Sequence, residues 1–105
     1  MRNDTTRGQL DLLVLSVLTG GPLHGYGIVS ELRRRSDSEL DLAEGTLYPA
    51  LHRLQGDGLL SSSWSEDAPR RRRVYRLTAR GRRALEGRRQ EWRRFSAAVE
   101  RVVQA

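Results

Sequence analysis

The sequence predicts a mainly helical chain with one small β-hairpin, and three observations carry that expectation. Apolar residues recur at helical spacing in four segments. Two short β-prone runs with a polar loop between them separate the third segment from the fourth. Gly20, Gly21 and Pro22, then Gly56 and Gly58, fall where the first and third periodic runs stop. At 105 residues the chain fits one core of ordinary domain size, with no second independent domain expected.

The first helix rests on Leu10, Leu13, Val14, Val17 and Leu18, a single i, i+3, i+4, i+7, i+8 stripe. Leu12 and Leu15 fall about 140 to 200 degrees away from it, so a second buried side is expected there. A short second helix buries Ile28, Val29 and Leu32 and closes on Arg33, Arg34 and Arg35, cations suited to a helix C-terminus, with Ser36 to Glu39 as the following loop. The third helix carries Leu47, Ala50, Leu51 and Leu54. Pro49 has no amide donor and is tolerated in a first turn, which predicts a start near Thr46. Leu59 to Trp64 and Arg73 to Leu77 read as the strands of a hairpin whose tip is Ser65 to Arg72. Thr78 reads as an N-cap, opening a long helix from Ala79 to about Val103.

All of the 19 basic residues are Arg; against 13 acids they give a net charge of +6 and a pI near 11.1. Surplus charge by itself is often only a solvated surface. Here Arg70, Arg71, Arg72 and Arg73 are consecutive, and four adjacent like charges call for counter-ions or phosphates, so a polyanionic partner is expected. The uncharged stretch from Leu12 to Ser30 is interrupted by glycines and Pro22 and is not a spanning helix. The polar stretch Met1 to Gln9 does not read as a signal peptide, which makes a cytoplasmic location the expectation. The chain has no cysteine, so thiolate metal sites and cysteine nucleophiles are excluded. His24 and His52 fall in no catalytic or metal-ligand spacing; no cofactor, no metal and no enzyme activity are expected.

Three helices followed by a hairpin is the order of a winged helix-turn-helix, whose third helix enters the major groove of DNA. Thr46, Tyr48, His52 and Arg53 lie opposite or beside the leucine stripe of that helix and offer groups that reach phosphates or base edges. The same residues carry a family resemblance: His24-Gly25-Tyr26-Gly27-Ile28, then Gly45-Thr46-Leu47-Tyr48-Pro49-Ala50-Leu51-His52-Arg53-Leu54, then Gly58-Leu59, then Tyr75-Arg76-Leu77-Thr78 with Gly81. Together they resemble the PadR family of repressors over nearly the whole chain. The resemblance implies a homodimer on an inverted-repeat operator of double-stranded DNA, with Tyr26 and Tyr48 on the DNA backbone and Pro49 in the same DNA-binding motif. It also places the chain with the short members that end in a single C-terminal helix. The wing departs from the family, reading Asp67-Ala68-Pro69-Arg70 where glycine is common, so a stiffer tip is expected.

Residues 1–78 are thus expected to form the DNA-binding domain and residues 79–105 a dimerisation helix. In that helix Leu85, Trp92 and Val99 recur every seven residues with Phe95 and Val102 offset by three, an a/d seam broken by Arg88. Leu12 and Leu15 are expected to join this interface, since the seam alone gives their face a partner. Trp92 reads either as an interface anchor or, by the resemblance to multidrug-sensing short members, as a wall for a small planar aromatic effector. Asp11, Leu12, Ser16, Arg88 and Ser96 would surround such a site, Asp11 supplying a counter-charge for a cation. Two other readings fit the charge: a winged module for RNA or a protein partner, and an Arg-rich helix lying on an anionic membrane. The seam favours no membrane contact.

Overall fold

The computed structural model describes residues 3–66 and 71–104. In chain order it has α1 (Asn3–Val17) with a closing 3-10 turn (Leu18–Gly20), β1 (Leu23–His24), α2 (Gly25–Arg35), α3 (Glu44–Gly56), β2 (Leu60–Ser65), β3 (Arg72–Leu77) and α4 (Ala79–Gln104). This is the expected mainly helical chain with a wing, a winged helix-turn-helix continued by a long helix. The sheet has three antiparallel strands in the order β1-β3-β2. Leu23 pairs with Tyr75 on one side of β3, and Leu60 with Leu77 on the other. The strand of only two residues was not expected, because so short a segment carries no alternation to read.

Helix α3 starts at Glu44, two residues before the expected boundary, and Pro49 therefore stands in its second turn. Glu44 suits the positive end of the helix, and the Thr46 and Leu47 amides both close on the Ala43 carbonyl. The amide that Pro49 lacks would have bonded the carbonyl of Gly45; both residues are exposed, which leaves that carbonyl open to solvent.

Helix α1 is the hub of the core, packing against α2, α3 and α4. Its buried arc includes Val14, Leu15, Val17 and Leu18, which meet Ile28, Leu32, Leu47, Leu51, Leu54, Leu59, Leu60, Tyr75, Leu77 and Leu85. Two expectations fail here. Leu15 does not face outward with Leu12 but is fully buried in the core of its own chain. At about 100° per residue, Asp11, Leu15 and Leu18 lie within about 60° of one another. A charged residue in that arc hid the buried face. Leu85, expected in the intermolecular seam, is likewise buried at 2% exposure within its own chain. The first turns of α4 thus complete the winged-helix core before the helix projects from it.

The junction of wing and α4 is tight. The Thr78 amide donates to the Leu59 carbonyl at 3.1 Å, while the Thr78 hydroxyl donates to the Gly58 carbonyl at 2.7 Å and accepts from the Gly81 amide at 2.9 Å, the expected N-cap. Gly81 is needed because a Cβ there would collide with the Leu59 carbonyl oxygen, which is backbone and cannot move aside. Gly81→Ala should therefore cost about 2 kcal/mol and lower the melting temperature by roughly 10 °C. Gly87→Ala, where a Cβ meets nothing within 4 Å, should stabilise the helix by about 0.5 to 1 kcal/mol. Circular-dichroism melts of the two variants separate a packing requirement from helix propensity.

Candidate functional site

Four core residues, Leu47, Ala50, Leu51 and Leu54, turn the opposite face of α3 outward, leaving Thr46, Tyr48, Pro49 and His52 exposed. The Tyr48 phenol leans on α2 at Gly25, where a Cβ would stand 2.5 Å from the phenol oxygen. Tyr26, from the first turn of α2, is 64% exposed beside it. Across from these tyrosines stand the ends of β2 and β3. The register sets Trp64 opposite Arg73, and the guanidinium carbons of Arg73 and Arg71 lie 4.7 and 5.0 Å from the indole centroid. An exposed aromatic face thus orders two cations of the wing, each contact contributing about 0.5 to 1 kcal/mol. Arg73 is further fixed by donating to the Ser62 hydroxyl at 2.8 Å.

These side chains enclose an open cleft of about 550 Å³ lined by His24, Gly25, Tyr26, Tyr48, Trp64, Arg71, Arg72 and Arg73, with no acidic residue among them. Of the residues expected to bind DNA, the fold brings Tyr26, Tyr48, Arg71, Arg72 and Arg73 to this cleft and sets Thr46, Pro49 and His52 on the adjoining face of α3. Arg70 lies outside the described residues. His24, Gly25 and Trp64 were missed by sequence reasoning; only the wing register and the α2–α3 approach bring them here.

Arg53 has a different role from the one expected. Its guanidinium forks onto the carboxylate of Asp11 on α1, with Nη2 and Nη1 at 2.9 and 3.0 Å from Oδ1. Asp11 is only 4% exposed, and Arg88 of α4 reaches its other oxygen at 3.6 Å. The carboxylate is therefore engaged from two helices and is not a free counter-charge for a cation. Arg53, tied back to α1, is not among the outward groups of α3.

A second, smaller cleft of about 220 Å³ lies between α1 and α4, lined by Gly8, Gln9, Leu12, Arg88, Glu91, Trp92 and Phe95. Three of the residues expected around an effector, Leu12, Arg88 and Trp92, line it. Asp11, Ser16 and Ser96 do not. Ser16 turns its carbonyl to Thr19 and Arg35, and the Ser96 hydroxyl bonds back to the Arg93 carbonyl. Trp92 and Phe95 touch with centroids 6.1 Å apart and planes at 43°. Beyond them Val99 and Val102 continue the exposed stripe along α4.

The fold and this basic face define a winged-helix protein of the regulatory type. Residues 14–87 match the model of the transcriptional regulator PadR-like family, and the chain belongs to that family. It is 43% identical over 79 residues to the transcriptional regulator Rv3488 of Mycobacterium tuberculosis, covering 75% of this chain and 71% of that protein. A PadR family transcription regulator of Clostridium difficile superposes with a TM-score of 0.76 at 34% identity, covering 90% of this chain and 97% of the other. Bacillus subtilis PadR, solved in complex with operator DNA, shares the fold at a TM-score of 0.67 and 24% identity over 74% of this chain and 45% of its own. The family consists of transcriptional regulators, not enzymes. Among the described residues no helix is long and apolar enough to cross a membrane.

Removing either arginine tests how Asp11 is held. Arg53→Ala deprives a buried carboxylate of two donors at 2.9 and 3.0 Å and should cost about 2 to 3 kcal/mol. Arg88→Ala, at the longer and more solvated contact, should cost under about 1 kcal/mol. Urea unfolding of both variants gives the comparison, and equal losses would contradict it.

Proposed function

We propose that this chain is a homodimeric repressor that binds an inverted-repeat duplex, with α3 in the major groove and the wing on the flanking backbone. The observation that carries the reading is the cleft where Tyr26 and Tyr48 face three wing arginines beside the exposed side of α3, with no acid among its described lining residues. Donors converging from several elements suit phosphate oxygens, which fix register, while Thr46 and His52 stand where base edges would be read. The operator complex of B. subtilis PadR supports the same use of the fold. Tyr48 acts from a fixed seat. Gly25→Ala should push the phenol off α2 and weaken operator binding about tenfold while the melting temperature changes little, since alanine suits a helix.

Dimerisation is assigned to α4. Trp92, Phe95, Val99 and Val102 form one exposed apolar stripe, and with Leu12 beside it this face needs cover. Leu15 and Leu85 have no part in it, being buried in their own core. Two reading heads held by that seam would meet half-sites about 34 Å apart. Truncation after Gly87 keeps Leu85 and the core but removes the stripe, and sedimentation should then give monomers.

A planar aromatic ligand at the Trp92 cleft would release the DNA. Arg88 lines the cleft and also contacts Asp11, which holds Arg53 of α3. A ligand that draws Arg88 toward itself would act on the carboxylate that positions the reading helix. Its effect is bounded by its preference for the DNA-free arrangement. Titrating planar aromatic dyes into a Trp64→Phe background makes Trp92 fluorescence the reporter. Quenching that disappears when Trp92→Ala is made in the otherwise unchanged protein, where Trp64 still fluoresces, supports the site.

The decisive experiment is selection of duplexes from a random pool by the purified protein, which should return an inverted repeat. Replacing Arg71, Arg72 and Arg73 by Ala should weaken binding to every sequence and flatten the dependence of log affinity on log salt by about one per lost phosphate contact. Unchanged affinity and slope would return the wing arginines to a solvated loop.

A further inference from the structure

His24 ends β1 and caps α2, and its two ring nitrogens face two donors. Nδ1 stands 3.0 Å from the Gly27 backbone amide and accepts its hydrogen, closing the first turn of α2. Nε2 stands 3.0 Å from Nη1 of Arg72. A guanidinium only donates, and a neutral imidazole has one acceptor nitrogen. With Nδ1 taken by Gly27, the imidazole proton sits on Nε2 and points at another donor. The other tautomer moves the conflict to Gly27, and the imidazolium has it on both sides. In every protonation state the cluster holds more donors than acceptors. Among the described residues it lacks an acceptor near Nε2 and Arg72, at the wall of the cleft that carries Arg71, Arg73 and the two tyrosines.

We propose that His24 is a phosphate ligand: its Nε2–H and the Arg72 guanidinium donate to one phosphodiester group of duplex DNA, with the Gly27 amide fixing the tautomer through Nδ1. The proposal rests on the DNA-binding reading above and adds a neutral contact to a charged one. The imidazole capping α2 is then the group that binds the backbone, so α2 is anchored to DNA at its N-cap. A neutral donor displaces no counterion, and its loss lowers affinity without changing the salt dependence. Arg72 changes both.

His24→Asn keeps an acceptor suited to the N-cap but is too short to reach the shared contact. On the duplex recovered by selection, His24→Asn should bind about tenfold more weakly at fixed salt, with the melting temperature and the salt slope of the parent. Arg72→Ala should lose affinity and about one unit of slope, and the double variant should lose less than the two together. A variant-free readout is nitrogen NMR of the two histidines in the parent complex. His24 should show the Nε2-protonated tautomer with a hydrogen-bonded proton, lost when one particular phosphate is replaced by a neutral methylphosphonate. Parent-like affinity for His24→Asn, or a His24 signal indifferent to every methylphosphonate, would leave His24 as a helix cap alone and overturn the phosphate contact while DNA binding stands. If the parent protein recovers no duplex at all, the DNA-binding reading fails, and this contact with it.

Discussion

The carboxylate of Asp11 is the constraint on which the rest of the structure is arranged. A charge removed from water inside a small core is tolerated only when it is paired and hydrogen-bonded. Asp11 meets that condition by drawing one arginine from α3 and one from α4. Its neighbours in the same arc of α1, Val14, Leu15 and Leu18, are buried against the other helices at the same time. The pairing adds direction to a core of mostly leucine, which by itself specifies density better than orientation. It fixes the rotation of α3 about its axis, and with it which residues of α3 face outward.

That rotation decides what the basic face contains. With Arg53 turned inward, the outward side of α3 offers a hydroxyl, a phenol and an imidazole, while the arginines come from the wing. The two kinds of group suit different tasks: polar side chains on a helix can discriminate base edges, and clustered arginines attract the backbone regardless of sequence. Trp64 makes the wing arginines a defined surface, because stacking two guanidiniums on one indole limits the conformations that long side chains would otherwise sample.

Helix α4 changes role along its length. Gly81 and Leu85 belong to the core, where absence of a side chain at one position and burial of a leucine at the next turn lock the helix to the wing base. Past Arg88 the helix still borders α1 at the Trp92 cleft, but its large apolar residues are exposed. Arg88 stands at the changeover, lining the Trp92 cleft and touching Asp11. The proposed dimer seam, the proposed effector site and the recognition helix are thus linked through one side chain and one carboxylate.

Much of this was determined by the sequence itself. The periodic leucines, the glycine and proline stops and the Thr78 cap set the order of helices and hairpin, because those signals act within one or two turns of chain. The strands came within a residue of the expected bounds, and the Tyr26, Tyr48 and wing positions were legible from their motifs. Tertiary structure decided the rest. Leu15 and Leu85 sit inside their own core and Arg53 points inward because a buried acid on α1 recruits partners 42 and 77 positions along the chain, which no local periodicity reports. The strand Leu23–His24 exists because β3 offers it an edge, and the cleft brings His24, Gly25 and Trp64 together because a register and a close helix approach put them there. Local propensity fixes what each segment is; which faces are buried depends on pairings between segments far apart in sequence.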